Sequence, residues 1–308
     1  MKKVFIDGSA GTTGLRIYER LSARKDVEIL SLPEEKRKDV AARKEMINSA
    51  DVVFLCLPDE AARESVSLVE NPNTVIIDAS TAHRTLPDWA YGFPELSKQH
   101  EQKLLNSKRI AVPGCHASGF IALVYPLVKA GLLDKKELLT CHSITGYSGG
   151  GKKMIADYES ENRSELLGAP RQYGITQQHK HLKEMKAITG VENAPIFCPI
   201  VSNFYSGMTV TVPLFASQIK GSVADVKGVY QEKYNGPFVR YQESADEGGF
   251  ISGAALSRKD SMIVTVAGNE ERILLVACYD NLGKGASGAA IECMNIALGV
   301  EKTKGLEL

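Results

Sequence analysis

Several things are scarce in this sequence, and each absence removes a class of protein. Its 37 lysines and arginines balance 37 aspartates and glutamates, so nothing suggests a surface for nucleic acid or another polyanion. The longest apolar stretch, Phe120 to Val128, is too short to span a bilayer and contains Pro126. Lys2 and Lys3 lead straight into a strand-like run, without the apolar stretch and small-residue cleavage site of a signal peptide. The six cysteines stand far apart with no CxxC pair, most of them in apolar runs such as Phe54-Leu55-Cys56-Leu57. That spacing argues against a disulfide framework or a zinc ribbon and fits a reducing cytoplasm. There is no internal repeat and no low-complexity segment. What remains is a chain of 308 residues, 44% hydrophobic and 24% charged, an ordinary globular composition with enough length for two domains, each with its own core.

The first third reads as a dinucleotide-binding half. A short apolar run, Lys3 to Ile6, is followed by Asp7-Gly8-Ser9-Ala10-Gly11-Thr12-Thr13-Gly14, an amphipathic helix from Leu15 to Ala23 and a second strand from Val27 to Leu30. Strand, glycine turn, helix and strand together make a phosphate-binding expectation, with Gly8, Ser9, Ala10, Gly11, Thr12, Thr13 and Gly14 as the cradle. The spacing is GxxGxxG, not GxGxxG, so the generic fingerprint is met only in its logic. At the tip of the second strand Leu30 is followed not by an acidic residue but by Ser31 and Leu32, and then by Lys36-Arg37-Lys38. This favours NADP(H), with Arg37 among the candidates for its 2′-phosphate, over NAD. A solvated, charged helix start is the alternative for that cluster.

Further apolar runs, Asp51 to Leu57, Thr74 to Ile77 and Arg109 to Val112, alternate with helical stretches. The expected fold is α/β, a Rossmann-type doubly wound parallel sheet with its ligand at the carboxyl ends of the strands. Gly8, Ser80 and Cys115 all follow strand ends, and Ser80 joins the cofactor candidates. The stretch from Arg84 to Leu96, with Trp89, Tyr91 and Phe93, reads as an ordered loop over that edge. Arg84 is either an anion contact there or a surface arginine.

Cys115 carries the chemistry. It follows Pro113-Gly114 and opens an apolar helical run, so its thiol faces unpaired backbone N–H groups and the positive end of a helix dipole, both of which favour the thiolate. A small buried cysteine near a helix start is the competing reading. From Leu138 the pattern changes to longer, mixed strands and helices. This predicts an α+β catalytic and substrate domain with a mostly antiparallel sheet. Gly146 to Lys153 forms a glycine-rich loop that can hold an anion through backbone N–H groups and Lys152. In Tyr173-Gly174-Ile175-Thr176-Gln177-Gln178-His179-Lys180-His181, a histidine reaching the cysteine is the pairing that thiol acyl chemistry needs. On one helix His179 and His181 diverge by about 200°, and no third ligand cluster accompanies them, so no metal site is expected. His116, next to the cysteine in sequence, is a rival base whose side chain is expected to point elsewhere. The small residues of Gly285 to Ala290 allow a close-packed C-terminal helix, Ile291 to Leu298, expected to rejoin the first domain, with an exposed tail after Glu301. The domains are then 1–114 completed by 284–308, and 115–283.

Four segments, GSAGTTG (8–14), PGC (113–115), YGITQQHKH (173–181) and DNLGKGASGAA (280–290), resemble the N-acetyl-gamma-glutamyl-phosphate reductases. The resemblance runs in order across the whole chain and is strongest to the family's shorter branch, in which His-Ala-Ser/Thr-Gly-Phe follows the cysteine. It implies NADPH-dependent reduction of N-acetyl-L-glutamyl 5-phosphate to the 5-semialdehyde, with release of phosphate, in arginine biosynthesis. By motif position Cys115 is the nucleophile and His179 the acid/base. Ser148, Gly149, Lys152, Tyr173 and His181 fall on the substrate side, and Asn281 on the cofactor side. Departures include Lys180 between the two histidines, Lys183-Glu184 for Pro-Glu, and Glu292 for a glutamine. A cytoplasmic homo-oligomer of two or four copies is expected, without nucleic-acid or membrane partners. The rivals are another acyl-phosphate reductase, of aspartyl or aminoadipyl type, and a non-catalytic NADP-binding regulator. No Gly-His step follows His181, which counts against the aspartyl type, and the intact Cys115 and His179 count against the regulator.

Overall fold

In the computed structural model, which describes residues 1–308, the apolar runs of the first third become parallel strands. These are β1 (Lys2–Asp7), β2 (Val27–Leu30), β3 (Val52–Leu55), β4 (Val75–Asp78), β5 (Ala90–Tyr91) and β6 (Arg109–Ala111). Their order is β2-β1-β3-β4-β6-β5, with every pairing parallel. Helices α1 (Thr12–Ser22), α2 (Val40–Ser49), α3 (Asp59–Ser67) and α4 (Lys98–Asn106) connect them. Side chains alternate along a strand, so a sheet covered on both faces needs apolar residues at every position. Val4, Ile6, Phe54 and Ile77 face Ile17 and Leu21 of α1, while Phe5, Val53, Leu55 and Ile76 face Ile47 of α2 and Ala62 of α3. The strand order reverses between β1 and β3, which is where such a sheet opens a crevice. One expected loop proved to be part of the sheet. Ala90 and Tyr91 pair with Ile110 and Ala111 as the edge strand, and Trp89, Tyr91 and Phe93 are buried.

The chain leaves this unit at Pro113. The unit comprises Met1–Pro113 with Ala286–Glu307, and the second comprises Gly114–Gly285 with Leu308. The second contains α5 (Cys115–Lys129), β7 (Thr140–Gly146), α6 (Gly151–Glu159), β8 (Arg171–Gln172), α7 (His181–Thr189), β9 (Ile196–Ser202), β10 (Met208–Phe215), α8 (Val223–Lys233), β11 (Val239–Tyr241), β12 (Met262–Gly268) and β13 (Arg272–Tyr279). Its sheet runs β11-β12-β13-β10-β7-β9-β8, with four of six pairings antiparallel. Helix α5 is buried from His116 through Val128, the signature of a helix packed on all sides. Pro126 inside it lacks the N–H that would pair with the Ala122 carbonyl. The Tyr234 hydroxyl donates to that carbonyl at 2.7 Å, and Tyr230 to Leu123. The register places Ile144, Ile196, Phe215 and Leu274 on the opposite sheet face, all exposed apolar residues.

A π-helical turn, Gly283–Ser287, precedes α9 (Gly288–Ala297). The helix therefore begins before Ile291, and Ala289, Ala290, Ile291, Cys293 and Met294 complete the first unit's core beside α1. The tail is mostly exposed, as expected, but it is anchored. Asn295 donates to the Lys302 and Lys304 carbonyls, and Leu306 packs against the same core.

Candidate active site

Cys115 is the first residue of α5, and Gly114 caps that helix without a side-chain hydrogen bond. A helix start of this kind directs N–H groups and partial positive charge toward the thiol. The turn is held from several elements of its own unit. Gly114 N–H donates to Glu184 Oε1 of α7 at 2.8 Å. The Cys115 carbonyl accepts from the Tyr279 hydroxyl of β13 at 2.6 Å. Gly285 packs so closely that a Cβ there would stand 3.1 Å from Cys115 Cβ. Glu184, the residue of the Lys183-Glu184 step that the family pattern shares, is thus a buried anchor of the cysteine turn. Its spacing of three from His181 along α7 was the signal available in the sequence.

Histidines gather in the same unit. Rings of His116 and His179 are 5.9 Å apart, those of His116 and His181 5.7 Å, and those of His179 and His181 4.7 Å. Two expectations are corrected by this. His179 does not share a helix with His181. Helix α7 begins at His181, and the turn before it folds the His179 ring back so that its Nδ1 accepts from His181 N–H at 3.2 Å. That bond leaves the proton of a neutral His179 on Nε2, so the ring is set up as a donor. Burial, and secondarily the Lys180 charge, hold its pKa below the usual histidine value.

His116, expected to point elsewhere, lies inside the cluster. Its Nδ1 is 2.6 Å from Ser143 Oγ and its Nε2 is 2.6 Å from the Tyr173 hydroxyl. With both nitrogens engaged by hydroxyls the ring is neither a free base nor a metal ligand. Burial, then the neighbouring His179, push its pKa down to about 3. Tyr173 is pushed upward by burial and by the nearby Cys115 thiol. Phe197 closes one side of the cluster, 5.3 Å from His116 and 5.2 Å from His179. The structure therefore brings Cys115, His116, Tyr173, His179 and His181 into one unit around the start of α5.

Of the other residues expected on the substrate side, Ser148 and Gly149 sit on the turn into α6 and Lys152 in its first turn. Ser148 is buried and its hydroxyl accepts from Asn281 Nδ2 at 3.0 Å, while Gly149 and Lys152 are exposed. Asn281, assigned to the cofactor side, also accepts from Gly207 N–H at 2.9 Å. Its amide thus ties the β13 exit to two neighbouring loops.

In the first unit, the loop after β1 leads into α1, whose cap Gly11 makes no side-chain hydrogen bond. Gly8 has φ +90°, and a Cβ there would lie 2.4 Å from the Cys56 carbonyl, so only glycine lets the loop turn this tightly against β3. A cavity of about 180 Å³ opens at the strand-order reversal, lined by Gly11, Thr12, Thr13, Cys56, Leu57 and Ala79. A bare helix start beside a glycine cradle fits the pyrophosphate of a dinucleotide. Cys56, Leu57 and Ala79 were legible only as core or strand-end residues, because the chain does not reveal which strand ends flank the crevice. Ser80 is buried, with its hydroxyl donating to Asp78 and accepting from Ala82 N–H. Arg37 is exposed, with Glu34 3.7 Å away. Arg84 is not a surface residue. It is buried, and its guanidinium donates to the Val112 and Ala79 carbonyls, clamping the ends of β6 and β4.

Known proteins share both halves of this arrangement. The family model described as semialdehyde dehydrogenase, NAD binding domain, matches residues 3–104, and that described as semialdehyde dehydrogenase, dimerisation domain, matches residues 115–281. Among solved structures, aspartate semialdehyde dehydrogenase II from Vibrio cholerae, complexed with ASA, superposes with a TM-score of 0.70 at 16% identity, covering 97% of this chain and 98% of that one. A probable aspartate-semialdehyde dehydrogenase from Pseudomonas aeruginosa gives 0.72 at 16%, covering 96% and 98%. These likenesses establish the fold. Sequence relatives go further. The N-acetyl-gamma-glutamyl-phosphate reductases of Brucella ovis and Brucella canis are each 45% identical, covering 96% of this chain and 99% of the relative. With such identity sustained through both units, the chain belongs to the N-acetyl-gamma-glutamyl-phosphate reductase family, on the semialdehyde dehydrogenase fold.

Proposed function

We propose that this protein reduces N-acetyl-L-glutamyl 5-phosphate to N-acetyl-L-glutamate 5-semialdehyde and phosphate, with NADPH as reductant, in arginine biosynthesis. The observation that carries this is 45% identity over nearly the full chain, and the side chains around α5 supply chemistry that suits it. The Cys115 thiolate attacks the acyl carbon, the C–O bond to phosphate breaks, and a thioester remains. Bound NADPH supplies the hydride that this thioester accepts. The resulting oxyanion is stabilised by N–H groups at the start of α5 and takes a proton from His179 Nε2. Reformation of the carbonyl returns that proton to His179 Nε2, breaks the C–S bond, and releases the aldehyde and the Cys115 thiolate. Each proton transfer of this kind is worth roughly 10²–10⁴-fold in rate. Tyr173 and His181 border this chemistry, with Ser148, Gly149 and Lys152 on the substrate side.

Residues Gly8 to Gly14 and Ser80 are assigned to the cofactor, with Arg37 toward the 2′-phosphate and Asn281 on the cofactor side. The protein works in the cytoplasm, a reading supported by six free cysteines. It acts as a homo-oligomer of two or four copies. Support comes from the sheet face that exposes Ile144, Ile196, Phe215 and Leu274 and from the dimerisation-domain description of the family model that matches this unit. No helix is long and apolar enough to cross a membrane.

The test is phosphate-dependent reduction of NADP with N-acetylglutamate semialdehyde, comparing wild type with Cys115→Ser. Phosphate-dependent turnover that vanishes in the variant is expected. Undiminished activity in the variant would sink the covalent route, and turnover of aspartate semialdehyde alone would sink the substrate.

A further inference from the structure

Tyr279 makes an unusual pair of bonds. Its hydroxyl accepts from Gly119 N–H at 3.0 Å and donates to the Cys115 carbonyl at 2.6 Å. Those two backbone groups, four residues apart, are the pair that bond to each other in an ordinary helical turn. One side chain from β13 therefore engages both ends of the first turn of α5, the turn that carries the nucleophile. Such an insertion changes where the turn sits.

The surroundings are shaped for it. A Cβ at residue 119 would fall 2.7 Å from the Tyr279 hydroxyl and 2.6 Å from Val210 Cγ2, so glycine at this position is what admits the hydroxyl. Tyr279 is fully buried, so the ring cannot swing away without opening the core. Burial, and next the Cys115 thiol, raise its pKa well above that of a free phenol. The group stays protonated, and so stays a donor, wherever a cysteine nucleophile works. The same helix has two other tyrosine donors, Tyr230 to Leu123 and Tyr234 to Ala122, but these bond carbonyls beside Pro126, two turns further along. Only Tyr279 touches the cysteine residue itself.

We infer that Tyr279 is a positioning residue for the nucleophile: its hydroxyl sets the first turn of α5 and thereby where the Cys115 sulfur meets the acyl carbon. This rests on Cys115 being the nucleophile of the proposed reaction. The hydroxyl does not touch the reacting atoms. It acts through the backbone of Cys115, and a displacement of about 1 Å in such a group is enough to cost on the order of 100-fold in rate.

The experiment compares Tyr279→Phe with Tyr234→Phe, which removes an equally buried hydroxyl from the same helix away from the cysteine. Steady-state kinetics, thermal melting and the pH profile of Cys115 alkylation by iodoacetamide are measured for each. Tyr279→Phe is expected to lower kcat by about 10- to 100-fold with KM changed less than about twofold, the pattern of a misplaced reacting group. Its alkylation midpoint should rise by about half a pH unit, as the sulfur loses its seat over the helix start. Tyr234→Phe should lose thermal stability alone. Should Tyr279→Phe not fold, 4-fluorophenylalanine at 279 fills the hydroxyl's space without its proton and should show the same losses. 3-Fluorotyrosine, which keeps the hydroxyl, should restore turnover. A Tyr279→Phe protein with wild-type kcat and alkylation midpoint, altered only in melting, overturns the inference. Absent turnover in the wild type would count against the proposed substrate alone, because the alkylation arm uses no substrate.

Discussion

The Nε2 of His116 and the hydroxyl of Tyr173 stand 2.6 Å apart, in a residue pair that joins the start of α5 to the loop before α7. Ser143 occupies the other nitrogen, and the ring is 3% exposed. An imidazole so enclosed has no water to solvate a charge, which is why its pKa falls to about 3.

This burial makes stability depend on pH with a definite sign. An unfolded histidine takes up a proton near pH 6.5, whereas the folded ring refuses it until about pH 3. Between those values the unfolded state holds the extra proton, so stability falls with decreasing pH by ~1.4 kcal/mol per unit from this group. Above pH 6.5 the contribution is flat. Urea titrations from pH 7 to pH 4 should show a shallower decline in His116→Gln than in wild type. Equal slopes would show that other groups govern the decline.

His179 is held below the ordinary histidine value chiefly by burial and then by Lys180. Replacing that cation by glutamate removes a repulsion and adds an attraction, so the folded pKa rises. The neutral ring, the form whose Nδ1 accepts from His181 N–H, then gives way to the cation at higher pH, so in Lys180→Glu the acidic limb of the pH–rate profile should move up, with the rate plateau little changed. A limb that stays in place would mean that His179 does not govern it.

Glu184 reaches from α7 to the Gly114 N–H. Glu184→Ala leaves that buried donor unpaired, at a cost of about 1–3 kcal/mol, and frees the turn that carries Cys115. Both melting temperature and kcat should drop. Glu184→Gln retains an acceptor oxygen and should recover most of the stability. A kcat untouched by the alanine variant would reduce Glu184 to a structural bond.

At Gly8 the positive φ and the 2.4 Å approach of any Cβ to the Cys56 carbonyl leave no room for alanine. Strain of this kind costs of order 1–3 kcal/mol, and relieving it must move the glycine loop. Gly8→Ala should raise the NADPH dissociation constant at least roughly tenfold, the equivalent of about 1.4 kcal/mol. Alkylation of Cys115, in the other unit, should proceed as in wild type. Fluorescence titration with NADPH measures the first, and an unchanged constant would place the cofactor elsewhere.

The first unit was largely readable residue by residue, because a parallel sheet covered on both faces writes itself as unbroken apolar runs such as Val52 to Leu55. Even there, the sequence of Ala90–Tyr91 reads as loop. A two-residue edge strand has no periodicity of its own and exists only because β6 offers it a partner. Arg84 was open between two roles for a similar reason. Charge suggests the surface, and only the carbonyls of Val112 and Ala79 explain its burial.

In the second unit the cysteine before an apolar helix and the histidine motif were visible as residues, but their arrangement was not. His179 and His181 diverge on a continuous helix and meet across a turn, and the sequence carried no mark of where α7 would begin. Glu184, Tyr279 and Ser143 looked like ordinary members of a helix and two strands.

By itself, then, the sequence determined the fold class and singled out the residues proposed as cofactor cradle and nucleophile, because these depend on local periodicity, glycine turns and motif spacing. Only the tertiary structure decided which side chains hold Cys115 in place. Those bonds join residues as far apart as Cys115 and Tyr279, and a contact across that many residues is set by packing, of which a linear pattern carries no trace.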